Sequence, residues 1–179
     1  MEDVKYQLFS TPILRVLCFL LDSSDIEYSD TEITTKVEGV KRAAIHQALT
    51  RLSRMGVVKR THRGRRCYNI LNFENVWLTY LKIATNVMTI TPLIDQLKEH
   101  ASSITLFGSR ADGSNRHDSD FDLMVVSNNP RETYRIAGDS EQGDRLQLIV
   151  KTPEEMLSLE SNEPVLTKRI RKGILLWEK

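Results

Sequence analysis

Ser103-Ile104-Thr105-Leu106-Phe107 is a strand-forming run that stops at Gly108-Ser109-Arg110, and ten residues separate Ser109 from Asp120-Phe121-Asp122, which opens the apolar run Leu123-Met124-Val125-Val126. No other feature constrains the fold as tightly. It requires two strands, a tight turn at the end of the first and a pair of acids at the start of the second. Side chains alternate along a strand, so Asp120 and Asp122 share one face while Phe121 and Leu123 enter the core. Two like charges side by side want a cation, and hard oxygen ligands at this spacing suit Mg²⁺ bound together with substrate phosphates rather than zinc. Gly108 lets the backbone approach closely, and Ser109 with the N–H groups of a following helix can hold a phosphate.

The combination of strand, Gly-Ser, ten residues, Asp-x-Asp and strand resembles the DNA polymerase beta-like nucleotidyltransferase superfamily, in particular its minimal branch without a lid. The resemblance covers roughly residues 92–179, including the closing Ile170-Arg171-Lys172-Gly173-Ile174-Leu175-Leu176-Trp177, a helix-glycine-strand ending. It implies a mixed β-sheet with helices. It further implies that Gly108 and Ser109, with Arg110 beside them, hold a nucleoside triphosphate. Asp120 and Asp122 become the catalytic acids, binding two Mg²⁺ ions for in-line attack on the α-phosphate. The family pattern also asks for a third acid on a neighbouring strand, to complete metal binding and help deprotonate the attacking hydroxyl.

Residues 133–137 and 145–150 read as a hairpin joined by 138–144. Leu146, Leu148 and Val150 then take the core face and Arg145, Gln147 and Ile149 point to the site. The position of the third acid is thus Gln147, a neutral amide that cannot accept a proton at neutral pH. Asp144 is the nearest substitute, but its odd offset puts it on the opposite face unless a bulge intervenes. His117 and Asp118, beside the acidic motif, read as loop residues.

Net charge is +1, yet it is unevenly spread. Residues 1–73 carry 12 Lys/Arg against 8 Asp/Glu, residues 74–100 carry 2 against 3, and residues 101–179 carry 11 against 13. Val37 to Arg66 contains nine basic residues and one acid, Glu38, the electrostatic footprint of a phosphate-binding surface. Around that run, Thr11-Pro12 caps a helix over Ile13–Leu21, and a short strand is expected near Ile26–Tyr28. Ser29-x-x-Glu32 is a capping box for a second helix that stops at Gly39. A third helix runs from about Lys41 to Gly56 with Ile45, Ala48, Leu49 and Leu52 as its buried stripe, leaving Ala43, His46, Gln47, Thr50 and Arg54 on the other face. Strands at Val57–Thr61 and Cys67–Leu71 follow, joined by the loop His62-Arg63-Gly64-Arg65-Arg66.

Over roughly residues 8–73 this order resembles the winged helix-turn-helix transcription regulators, which implies docking of the third helix in the major groove of double-stranded DNA. Gln47 can pair with adenine and Arg42 with guanine or phosphate, with His46 and Arg54 on the same face. Arg63, Arg65 and Arg66 on the wing would reach backbone or minor groove. Winged helices also serve as protein-docking modules, although an Arg-rich wing has no use there.

Val76, Trp77, Tyr80, Leu81, Ala84, Val87 and Met88 form an amphipathic stripe over Glu74–Met88. It faces either another part of the chain or the seam of a homodimer. Thr91-Pro92 is expected to begin a further short helix, Leu93–His100. The organisation expected is therefore α+β: a winged helix-turn-helix over 1–73, connector helices over 74–100 and a nucleotidyltransferase-type domain over 101–179. With no Pro/Gly/Ser-rich linker between them, the halves are expected to be rigidly coupled. Val16–Leu21, the most apolar run, falls far short of the roughly 18 residues of a membrane span. The opening Met1-Glu2-Asp3 lacks a signal peptide's basic flank, and the only cysteines are Cys18 and Cys67. A reducing cytoplasm without disulfides or cysteine-bound zinc is the expected setting. The function expected is that of a DNA-binding regulator whose second domain binds nucleoside triphosphate and Mg²⁺, with catalysis weakened by Gln147. The alternatives are an active enzyme moving a nucleotidyl group to a protein or small-molecule hydroxyl, or an antitoxin-type partner.

Overall fold

The computed structural model describes residues 4–179, so the opening Met1-Glu2-Asp3 lies outside the described residues. The chain packs as two compact units, one reaching to Thr85 and the other spanning Asn86–Lys179.

The N-terminal unit holds α1 (Val4–Leu8), α2 (Pro12–Asp22), β1 (Tyr28–Ser29), α3 (Asp30–Lys36), α4 (Arg42–Arg54), β2 (Val58–Arg63) and β3 (Arg66–Leu71). The strands form an antiparallel sheet in the order β1-β3-β2. Helix starts follow the local chemistry: the Thr11 hydroxyl accepts from the Leu14 N–H, and the Ser29–Glu32 capping box closes in both directions. Val16, Leu20 and Leu21 of α2 and Ile33 of α3 meet Ile45, Leu49 and Leu52 of α4 in one core, all at most 2% exposed. β1 begins only at Tyr28, because a turn closed by Ile26 N–H to the Ser23 carbonyl runs to Ile26. The hairpin of β2 and β3 is also tighter than expected. Arg63 pairs with Arg66 across the hairpin, leaving only Gly64-Arg65 as the turn, with Gly64 at φ +61° in the first position where a II′ hairpin turn needs glycine.

A polar knot ties this unit together. Arg60 donates from Nη2 to both oxygens of Asp30 at 2.8 and 2.6 Å, Asn69 donates to Asp30 at 2.8 Å, and His46 Nδ1 lies 3.3 Å from the same carboxylate. Burial alone would raise the Asp30 carboxyl. The Asn69 hydrogen bond, the Arg60 charge and His46 outweigh it and hold the group below the usual range.

The expected pair of connector helices is one helix, α5 (Trp77–Leu97), which continues through Pro92. A proline inside a helix costs about 3 kcal/mol. Ile90, Leu93, Ile94 and Leu97 are each at most 4% exposed, and burial of each contributes about 1.5–3 kcal/mol, so the packing outweighs the break. The expected stripe holds only in part, since Leu81 and Val87 pack against the cores of their units. Val76, Trp77 and Tyr80 are exposed, whereas Leu78, Lys82 and Thr85 turn inward. Asn72 and Asn75, both donating to the Gly56 carbonyl, hold a turn that delays the helix to Trp77. The inward polar groups are paired: Lys82 Nζ donates to Ser24 Oγ at 2.6 Å and lies over the Phe73 ring.

The C-terminal unit contains β4 (Ala101–Phe107), α6 (Ser109–Asp112), β5 (Phe121–Ser127), α7 (Pro130–Gly138), β6 (Leu146–Lys151), α8 (Pro153–Asn162), α9 (Pro164–Arg171) and β7 (Ile174–Glu178). Its sheet runs β6-β5-β4-β7, with β5 and β6 parallel and the remaining pairs antiparallel. Ile104, Leu106, Phe121, Leu123 and Val125 line one face with the last turns of α5. Phe107, Met124 and Ile149 line the other with Met156, Leu159, Leu166 and Ile170 of α8 and α9. The expected hairpin over 133–150 is instead the crossover β5-α7-β6. Asn129 accepts from the Glu132 N–H and Pro130 fills the first turn, which starts a helix where the β-branched Thr133 and Ile136 suggested a strand. Among the described residues no helix is long and apolar enough to cross a membrane, and Cys18 and Cys67 form no disulfide.

Candidate nucleotide and metal site

The turn after β4 is built around an overlap that only glycine tolerates. Gly108 has φ +72° and ψ −158°, and a Cβ placed on it would lie 2.0 Å from Asp122 Oδ2. The Asp122 carboxylate therefore rests on the bare Gly108 backbone. Register explains the meeting, since Phe107 pairs with Asp122 across β4 and β5. Ser109 then begins α6, whose first turn closes by Ala111 N–H to the Gly108 carbonyl at 3.1 Å.

Asp120 immediately precedes β5, and Asp122 shares the sheet face of Met124, Phe107 and α9. Burial raises the Asp122 carboxyl above the ordinary range; the Arg169 charge lowers it in part, and Asp120 raises it further. Asp122 is only 13% exposed at its side chain and has Arg169 Nη2 at 3.7 Å. Across the parallel pair the residue opposite Asp122 is Gln147, which is exposed and shares its strand face with Ile149. The change of α7 from strand to helix thus leaves the register of Gln147 as expected. Asp144 sits in a short 3₁₀ turn, Gly143–Arg145, before β6 begins, and is exposed.

Arg110 is placed differently from a phosphate ligand. It is 8% exposed, donates from Nε and Nη2 to the Ser119 carbonyl at 3.1 and 2.6 Å and from Nη1 to Asn86 Oδ1 at 3.0 Å, and stacks on Phe121. Its guanidinium holds the loop that delivers Asp120. Arg145 reinforces that loop by donating to the carbonyls of His117 and Ser119. Arg145, expected to point to the site, is thus spent on the loop, whereas Asn86 and Arg169 carried no signal in the sequence because neither lies at a fixed spacing from the motif.

Residues 75–179 match the family described as Polymerase beta, Nucleotidyltransferase. The chain belongs to this family. Polymerase beta-type nucleotidyltransferases typically use Mg²⁺ and act on a nucleotide substrate. No curated protein matches the chain. Among the described residues there is no group of three or more His, Cys, Asp or Glu able to hold a metal. The Asp122 carboxylate on its glycine cradle, with the Asp120 charge acting on it, still fits one hard cation whose remaining ligands would come from phosphate and water.

The residues proposed for DNA lie in the N-terminal unit. Arg42, His46, Gln47 and Arg54 are exposed on α4, although His46 reaches back to Asp30. Arg65 and Arg66 are exposed at the hairpin tip. Arg63 is engaged, paired with Glu27 at 2.7 Å and lying over the Tyr68 ring.

The raised Asp122 carboxyl has a stability consequence. A carboxylate whose folded pKa exceeds its unfolded value favours the fold while protonated, and that contribution is lost as pH rises through the folded pKa. Asp122→Asn should therefore raise the melting temperature of metal-free protein at neutral pH, with the gain vanishing below about pH 4, where the acid is protonated in both states. Thermal unfolding of both proteins in a chelator across that range checks the sign, and the same variant should lose Mg²⁺-dependent nucleotide binding.

Proposed function

We propose that the C-terminal unit binds a nucleoside triphosphate with one Mg²⁺ at Gly108, Ser109, Asp120 and Asp122 and turns it over slowly, while the N-terminal unit docks on double-stranded DNA. The chain is then a DNA-binding regulator whose nucleotidyltransferase domain acts mainly as a ligand sensor. The observation that carries this is Gln147 in register with Asp122 on the neighbouring strand. An amide there can offer a carbonyl oxygen or donate a hydrogen bond, but it cannot accept the proton of an attacking hydroxyl. Arg110 on this reading positions the Asp120 loop instead of binding phosphate. Bound Mg²⁺ would supply charge neutralisation for the phosphates. Titration calorimetry with Mg²⁺ and each of the common nucleoside triphosphates tests the reading; equal affinity in wild type, Asp120→Asn and Asp122→Asn overturns it.

An active transferase is the second reading, favoured by the intact Gly108–Asp122 cradle. It predicts the same binding and differs in turnover.

For DNA, the supporting observation is the exposed basic face. Of the nine cations between Val37 and Arg66, Lys59, Arg60 and Arg63 are spent on Glu74, Asp30 and Glu27, and the other six are exposed. If all six displaced counterions, the log–log salt slope of duplex binding would reach about −5, at about −0.9 per phosphate. Arg65→Ala with Arg66→Ala should weaken binding to every sequence and flatten the slope by about 2. Gln47→Ala should change sequence preference instead. Fluorescence anisotropy over a salt series reads all three; salt-independent binding would reduce the basic run to a solvated face.

A further inference from the structure

We propose that Arg169 is a polyphosphate-binding residue of this site, resting on Asp122 while the site is empty and turning to the phosphates when nucleotide and cation enter. This rests on the nucleotide-binding reading above. Arg169 lies on α9, with Nη2 3.7 Å from Asp122 Oδ2 and its guanidinium 5.3 Å from the centre of the Phe107 ring. At 3.7 Å the contact is an ion pair without a hydrogen bond, so the donors of the guanidinium remain unspent. The neighbouring guanidiniums differ. Arg110 and Arg145 are committed to loop carbonyls, and Arg171 to Glu160 at 2.8 Å.

Arg169 is also placed for a ligand. Its side chain is 55% exposed, and it lines an open cleft of about 400 Å³ together with Asn162, Glu163, Pro164, Val165 and Leu166. Its guanidinium lies over the buried Phe107 ring, on which it keeps its plane while its edge stays free. A cation bound by Asp120 and Asp122 would take the carboxylate that Arg169 now faces and repel the guanidinium from it. The incoming polyphosphate would offer the released guanidinium a bidentate, charge-assisted partner. Arg169 therefore opposes the cation alone and favours the cation with polyphosphate.

Those opposite signs give the test. With full-length protein, Arg169→Gln should bind Mn²⁺ alone several-fold more tightly than wild type, because a competing positive charge has gone. The same variant should bind inorganic tripolyphosphate in the presence of Mg²⁺ about tenfold to a hundredfold more weakly, the loss expected for a charge-assisted hydrogen-bonded pair. Arg169→Lys keeps the charge without the planar fork, so Mn²⁺ affinity should stay at the wild-type value while tripolyphosphate affinity falls partway. Electron paramagnetic resonance of free Mn²⁺ and calorimetry of tripolyphosphate read the two arms. Unchanged or uniformly weakened binding of both probes in Arg169→Gln overturns the proposal, as does tighter Mn²⁺ with unaltered tripolyphosphate, which would make Arg169 a plug only. A wild-type protein that binds neither probe overturns the nucleotide site itself.

Discussion

Gln147→Asp is expected to raise nucleotidyl transfer or triphosphate hydrolysis by about 10²–10⁴, the usual contribution of a positioned general base. The parallel pairing of β5 with β6 puts residue 147 opposite Asp122. A carboxylate introduced there joins Asp120 and Asp122 as the third acid, able to ligate a cation and take the proton of an acceptor hydroxyl. Wild-type turnover should be slow for the same reason. Asp144→Asn should leave it unchanged, since Asp144 lies in the 3₁₀ turn ahead of the strand. Radiolabelled triphosphates with Mg²⁺ or Mn²⁺ decide the matter. Brisk wild-type transfer that collapses in Asp144→Asn would make Asp144 the third acid. Brisk transfer indifferent to both positions would end the weak-catalyst reading.

Gly108→Ala should combine a loss of stability with a loss of the site. Holding an alanine at φ +72°, ψ −158° costs about 1–3 kcal/mol in backbone strain alone. The new methyl would further lie 2.0 Å from Asp122 Oδ2, so the carboxylate has to leave its place. Urea unfolding and Mn²⁺ binding should therefore both fail together. Placing Gly108→Ala in an Asp122→Ala background separates the two causes, because the Asp122 Cβ is 3.4 Å away, an ordinary contact. The backbone cost should persist there and the steric cost vanish. Equal destabilisation in both backgrounds would mean that the carboxylate does not rest on Gly108.

The strands that carry the motif were legible in the sequence because side-chain alternation is a short-range rule. Alternation placed Asp122 and Gln147 on their strand faces, whereas singling out Gly108, Asp120, Asp122 and the place of a third acid rested on the resemblance to the nucleotidyltransferases. The α7 segment was misread because Thr133 and Ile136 have strand-like side chains, whereas the deciding signal, Asn129 capping the Glu132 N–H, lies upstream. Part of the α5 face was misread for a different reason. Hydrophobic periodicity assumes that buried means apolar, and here Lys82, Thr85 and Asn86 are buried with hydrogen-bond partners instead. Arg169 had no sequence signal at all, since its distance from Asp122 is set by how α9 packs on the sheet.

Gln147 stands exposed on β6, at the outer edge of the sheet. Its side chain fills no core and makes no hydrogen bond among the described residues. Glutamine and glutamate codons differ by a single base, so one point mutation stands between this chain and an acid at that position. If Gln147 limits turnover as proposed, descendants of such a gene gain or lose it without repacking the protein, and the proposed regulator and an enzyme become neighbouring states in sequence space.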